Sequence, residues 1–194
     1  MSVFRTALLV AAVSSLSFAS LSPSWADDAN TMTIKLKDGD VKIELRPDLA
    51  PKHVEQIKAL AKEGAYNSVV FHRVIPGFMA QTGDVQYGNT EKGYNQAAAG
   101  TGGSKRPDLP AEFSKEPFVR GTVGMARSSN PNSANSQFFI MFDNGSFLNG
   151  QYTVVGKVTT GMENVDKIKK GNEAQNGAVD NPDKMVKVTV GSAK

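Results

Sequence analysis

Side chains able to act as nucleophiles or metal ligands are scarce in this chain. It has two histidines, His53 and His72, and no cysteine, which removes thiolate nucleophiles, thiolate zinc sites and disulfide frameworks. A catalytic zinc site usually draws on histidine or cysteine at a defined spacing, and two isolated histidines do not provide one. No metal is expected. A hydrolase built on one of the many serines would need a base within hydrogen-bond reach, and neither histidine stands in a recognisable serine-hydrolase motif. The run Gly100-Thr101-Gly102-Gly103-Ser104-Lys105 is faintly like a phosphate loop but lacks the Gly-Lys-[Ser/Thr] ending, and no strand clearly precedes it, so it reads as a turn. Arg73 sits in a β-rich stretch, where a lone arginine is ordinarily a solvated charge.

The elements that would carry these residues are mostly short strands. Thr31 to Leu36 and Val41 to Leu45 alternate in polarity on either side of Lys37-Asp38-Gly39-Asp40, whose Asp-Gly is a strong hairpin signal. From Ala50 to Glu63, Val54, Ile57, Leu60 and Ala61 recur at helical period, with Pro51 in the first turn and Gly64 as the stop. Six further strand candidates follow: Val69 to Ile75, Phe78 to Thr82, Thr122 to Ala126, Gln137 to Met141, Val154 to Val158 and Met185 to Val190. A second helix fits Met162 to Lys169, where Val165 and Ile168 share a face and lysines crowd the last turn. Eight strands and two helices point to a mainly β fold, a closed eight-stranded antiparallel barrel capped by the helices. Gln86 to Arg120 is long, polar and glycine-rich, the mark of either a functional loop or a disordered insert.

With 194 residues, 40% hydrophobic and 21% charged, the chain suits one globular domain after removal of any targeting segment. A net charge of +3 is too weak to argue for nucleic acid. Residues 1–26 read as a cleaved secretory signal: Arg5 supplies the basic start, Thr6 to Ala19 is uncharged and largely apolar, and Ser24-Trp25-Ala26 ends small-x-small. The apolar stretch is interrupted by Ser14, Ser15 and Ser17 and falls short of the roughly 20 residues that span a bilayer. The mature chain is therefore expected to start at Asp27, to be soluble, and to work in a periplasm or the extracellular medium. Residues 27–194 would form its single domain.

Two segments, read together, are specific. Phe71-His72-Arg73-Val74-Ile75-Pro76-Gly77-Phe78-Met79-Ala80-Gln81-Thr82-Gly83-Asp84 and Asn135-Ser136-Gln137-Phe138-Phe139-Ile140 closely resemble the signatures of the cyclophilins, a family of peptidyl-prolyl cis/trans isomerases. The resemblance runs from about Thr33 to Val190 and takes in Ala50-Pro51, Gly100 to Gly103, Val123 to Arg127 and Phe147 to Tyr152. It implies an eight-stranded barrel with an external groove that binds proline-containing segments of unfolded or exported proteins and rotates their X-Pro bonds without a cofactor. By the same resemblance Arg73 is the catalytic residue. Phe78, Met79, Phe139 and Leu148 would hold the proline ring, and Gln81 would bond the substrate backbone and steady Arg73. Ala126, Arg127 and Gln137 would line the neighbouring subsite, with Phe147 and Tyr152 on the rim.

The chemistry such a residue must perform is limited. Peptide resonance sets a rotation barrier of about 18–20 kcal/mol, and a cationic donor aimed at the prolyl nitrogen lowers it by stabilising the lone pair that localises there as the amide twists. No proton is transferred, so His72, pointing away from Arg73 in a strand, reads as structural. Phe138 likewise reads as core, opposite Phe139. Phe147 and Tyr152 stand where the best-known eukaryotic members have tryptophan and histidine. Arg127 replaces an asparagine, and Met125 to Gln137 is one residue longer, variants that resemble bacterial exported cyclophilins. Without an indole N–H at Phe147, weak binding of the inhibitor cyclosporin is the expectation. A binding module on the same fold that holds proline segments without turnover is the alternative reading.

Overall fold

In a computed structural model of the protein, residues 28–191 are described. The expected signal segment and Asp27 lie outside them. Strands β1 (Thr31–Leu36) and β2 (Gly39–Leu45) form the expected hairpin, with Leu36 opposite Gly39 so that Lys37-Asp38 makes the turn and Gly39 takes φ +140°. Met32, Ile34, Val41 and Ile43 point inward and are buried, the period-two pattern of a sheet with one wet face.

Helix α1 (Pro51–Lys62) buries Val54, Ile57, Leu60 and Ala61, as its spacing required, and ends at Gly64 with φ +68°. Its N-cap residue, Ala50, has no side-chain acceptor to offer. The missing cap comes from far along the chain: the Glu112 carboxylate accepts from the amides of Lys52 (3.2 Å) and His53 (3.1 Å) and contacts His53 Nδ1 at 2.6 Å. Gln56, on the same helix, donates to the Asn135 carbonyl at 2.9 Å. The long segment between Gln86 and Arg120 is thus tied to α1.

The remaining strands are β3 (Val69–Val70), β4 (Arg73–Ile75), β5 (Met79–Thr82), β6 (Thr122–Met125), β7 (Phe138–Met141), β8 (Val154–Thr160), β9 (Lys184–Met185) and β10 (Lys187–Val190). Eight of them make one antiparallel sheet in the order β10-β1-β2-β8-β6-β7-β5-β4, while β3 and β9 pair separately. The fold is mainly β with two helices, as the sequence indicates, but the barrel is not closed. The sheet curls, and its end strands β4 and β10 do not bond to each other. The two strands expected at 69–75 and 185–190 are each interrupted where the sheet ends. Each changes partner midway, so that Val69–Val70 and Lys184–Met185 pair as a separate ribbon before their chains enter the sheet. Helix α2 (Met162–Asp166) stops short of the expected Lys169, whose amide is taken by the Asp183 carboxylate at 2.9 Å.

Alternation along β5 and β7 divides the apolar side chains between two clusters. Ala80, Phe138 and Ile140 join the main core under α1, with Ile34, Ile43, Ile57 and Phe71. Met79, Phe139 and Met141 face the other way and form a smaller cluster with Phe118, Leu148 and Val154. Each large buried side chain contributes roughly 1.5–3 kcal/mol of transfer free energy, and the second cluster spends its apolar surface beneath a groove. Among the described residues no helix is long and apolar enough to cross a membrane.

Candidate active site

Strand register places one row of residues across four strands: Arg73 on β4 opposite Gln81 on β5, Gln81 opposite Phe139 on β7, and Phe139 opposite Gly124 on β6. Gly124 has no side chain to lift the Phe139 ring from the sheet. A Cβ there would lie 2.6 Å from Phe139 Cζ and 2.5 Å from Phe118 Cε1. The two phenylalanines stack at 5.7 Å beneath a cavity of about 410 Å³. Met79, Phe139 and Leu148 are its buried apolar lining, and Phe78, Ala126 and Tyr152 are partly exposed. Phe147 stands at the rim, 62% exposed, its ring 5.4 Å from that of Phe78.

Arg73 enters this cavity as a half-buried cation. Its Nη1 donates to Gln81 Oε1 (3.2 Å), its Nε to the Asn176 carbonyl (3.0 Å) and its Nη2 to Asn176 Oδ1 (2.9 Å). Burial pushes its pKa down from the ordinary guanidinium value, with Tyr152 opposing. Gln81 in turn donates to Gln137 Oε1 at 3.0 Å, and Gln137 donates to the carbonyls of Gly100 (3.0 Å) and Gly102 (2.7 Å). The amides of Gly100 and Gly102 are held by buried Asp84 Oδ2 at 2.8 and 2.9 Å. A continuous relay therefore runs from the cation to the glycine-rich loop, which is a wall of the groove.

That wall borders a second cavity of about 480 Å³, which shares Gln81, Ala126 and Arg127 with the first and adds Gln137, Ser104 and Asn135. Arg127 stands between the two. Its guanidinium lies 4.3 Å over the Tyr152 ring and donates to the carbonyls of Ser128 and Gln151, both at 2.9 Å. His72 lies behind the wall, buried, and its ring nitrogens make no hydrogen bond. Burial pushes its pKa down to about 4, with Asp84 opposing. A neutral, shielded imidazole suits packing rather than proton transfer. Phe138 is fully buried, edge-on to Tyr66 at 5.6 Å.

Of the residues singled out from the sequence, Arg73, Phe78, Met79, Gln81, Ala126, Arg127, Phe139, Phe147, Leu148 and Tyr152 line the first cavity. Gln137 does not; it lines the second and reaches the first only through Gln81. Sequence reasoning missed Gln151, Phe118, Asp84 and Asn176 in these surroundings. Asn176-Gly177 is a turn dipeptide that marks a tight loop, but nothing in it announces a partner 103 positions away. Among the described residues no three histidine, aspartate or glutamate side chains gather as a metal site would require.

Comparison with known proteins follows the same outline. The family model "Cyclophilin type peptidyl-prolyl cis-trans isomerase/CLD" matches residues 31–190. The chain is 72% identical over 191 residues to a Brucella suis protein named "Probable peptidyl-prolyl cis-trans isomerase", covering 98% of this chain and 97% of that one. Among solved structures it is similar to cyclophilin AquaCyp293 from Hirschia baltica, with a TM-score of 0.70 and 26% identity, covering 84% of this chain and 74% of that one. It is equally similar, at TM-score 0.70 and 26% identity, to a Cryptosporidium parvum cyclophilin-type isomerase crystallised in the presence of the dipeptide Ala-Pro, covering 84% of this chain and 99% of that one. With a curled sheet that carries an arginine over an apolar cavity, and with a family match spanning nearly all the described residues, this chain belongs to the cyclophilin-type peptidyl-prolyl cis-trans isomerases.

Proposed function

We propose that the chain rotates X-Pro bonds in exported polypeptides, assisting their folding, with Arg73 as the catalytic residue. The observation that carries this reading is the half-buried guanidinium of Arg73 over an apolar cavity that Phe139, Met79 and Leu148 make suitable for a proline ring. An apolar seat holds the ring while the acyl side turns, and a fixed cation stabilises the nitrogen lone pair exposed by the twist. Raising an uncatalysed rate of about 10⁻² per second to the order of 10³ per second requires roughly 7 kcal/mol. One preorganised donor supplies about 3–4 kcal/mol, and positioning in the groove supplies the rest.

Replacing Arg73→Ala tests the assignment by paired measurement of proline isomerisation and thermal unfolding. Turnover should fall about 10²- to 10³-fold. Asn176 is exposed and Gln81 only partly buried, so the acceptors that lose Arg73 regain water and Tm should move by no more than about 4 °C. Retention of most activity overturns the role of Arg73, and a wild-type chain that binds proline peptides without turning them over would instead be the binding module. Residues 1–26 are proposed as the export signal, on the small-x-small site at Ser24-Trp25-Ala26. Intact-mass analysis of the secreted protein should show Asp27 first, and finding Trp25 in it overturns the proposal.

A further inference from the structure

We propose that Asn176 is a positioning residue for the rotation step, and that it serves because it grips Arg73 without neutralising it. The inference rests on Arg73 being the catalyst. A guanidinium has five N–H groups in one plane. Asn176 takes two along one edge, Nε through its carbonyl at 3.0 Å and Nη2 through Oδ1 at 2.9 Å, and Gln81 takes a third at 3.2 Å from Nη1. Nη1 otherwise faces only the sulfur of Met79, at 3.9 Å, a weak acceptor. The plane of the cation is thereby fixed from two sides, and the remaining hydrogens on Nη1 and Nη2 are the ones a substrate can use.

The grip is placed by the backbone next to Arg73 itself. The Val74 amide donates to the Gly177 carbonyl at 2.8 Å and the Val74 carbonyl accepts from Gly171 at 2.9 Å, so the loop that carries Asn176 is hydrogen-bonded to β4 one residue beyond the arginine. Asn176 takes the left-handed conformation, φ +54°, which asparagine tolerates better than most residues. Gly177 follows at φ +80°, where a Cβ would lie 2.5 Å from Ile75 Cγ1.

Charge is the second half of the argument. Among the described residues the ion pairs join Lys37–Asp183, Arg46–Asp48, Arg106–Glu63 and Arg120–Asp166, Glu112 bonds the His53 ring, and no carboxylate pairs with Arg73. A carboxylate at position 176 would make the stronger hydrogen bond and the better anchored side chain. It would also cancel the field at the prolyl nitrogen, on which the catalytic stabilisation depends. An amide supplies the geometry and leaves the charge.

Two variants separate positioning from mere support. Asn176→Gly keeps the left-handed backbone and the carbonyl bond to Nε but removes Oδ1 from Nη2. It should lower kcat roughly 5- to 50-fold with KM changed less than about twofold. Asn176→Asp keeps the acceptor and adds the charge. It should leave Tm unchanged or raised while lowering kcat at least as much as Asn176→Gly, a combination that a residue needed only for stability cannot give. NMR of the Arg73 side chain should show faster guanidinium rotation in Asn176→Gly and slower rotation in Asn176→Asp. The proposal is overturned if Asn176→Asp turns over at the wild-type rate, or if Asn176→Gly stays within twofold of it. Assay of Arg73→Ala alongside tells the two ideas apart: an active Arg73→Ala removes the catalytic reading and this one with it, whereas an inactive Arg73→Ala beside two full-speed Asn176 variants removes this one alone.

Discussion

Replacing Glu112→Ala should cost the fold more than its place in a surface loop suggests. The carboxylate accepts from two amides at the start of α1, and a cap of this kind is worth about 0.5–2 kcal/mol. It also holds the ring of fully buried His53 through a 2.6 Å charge-assisted contact to Nδ1, worth about 1.5–3 kcal/mol, while Nε2 has no partner. The combined loss, about 2–5 kcal/mol, translates into a fall in Tm of roughly 5–15 °C for a domain of this size. The effect should depend on pH in a defined direction. Burial pushes the Glu112 pKa up, but the His53 ring and the two amides outweigh it and hold the carboxyl below its ordinary value. A depressed carboxylate stabilises the fold above its unfolded pKa and loses that contribution as pH falls through the folded value. Calorimetry of wild type and variant from pH 7 to pH 3 should therefore show the widest gap in Tm near neutrality and a closing gap in acid. A gap below about 3 °C at pH 7, or one that stays constant to pH 3, refutes the reasoning.

Turnover should be nearly flat from pH 6 to 9, because burial holds His72 neutral throughout that range, with a pKa of about 4, and Arg73 stays charged; a sigmoidal tenfold change near pH 6.5 in kcat contradicts this. Phe147→Trp should tighten cyclosporin binding by roughly two- to tenfold, since the 62% exposed rim position has room for an indole and its N–H donor. Trp25, the chain's one tryptophan, lies in the proposed signal segment, so fluorescence of the mature variant reports the titration, and equal or weaker affinity contradicts the rim assignment.

Local pattern made most elements legible. The hairpin around Asp38-Gly39 and the stripe from Val54 to Ala61 are written in neighbouring residues, where period and turn chemistry act directly. What escaped was long-range. Nothing near Val70 or Met185 signals that each strand would change partner midway, because partner choice depends on residues more than a hundred positions apart. The cap on α1 was invisible for the same reason: Ala50 has no acceptor, and Glu112 enters from 59 positions beyond His53. In the groove, the side chains that meet a ligand stood in recognisable motifs. Asn176, which holds Arg73 in place, is an ordinary turn residue until the chain is folded, and Asp84, the last residue of the first motif, gives no sign in the sequence that it holds the glycine-rich loop.

The open sheet leaves two strand edges, and both are already occupied. Along β4 the outward amide of Val74 bonds the Gly177 carbonyl, and along β10 the Val188 amide bonds Asn67 Oδ1. Bare edges template the addition of further strands and are the usual starting point of aggregation. With a loop bonded along one margin and an asparagine on the other, the sheet presents fewer free amides to an added strand than its open topology alone would leave.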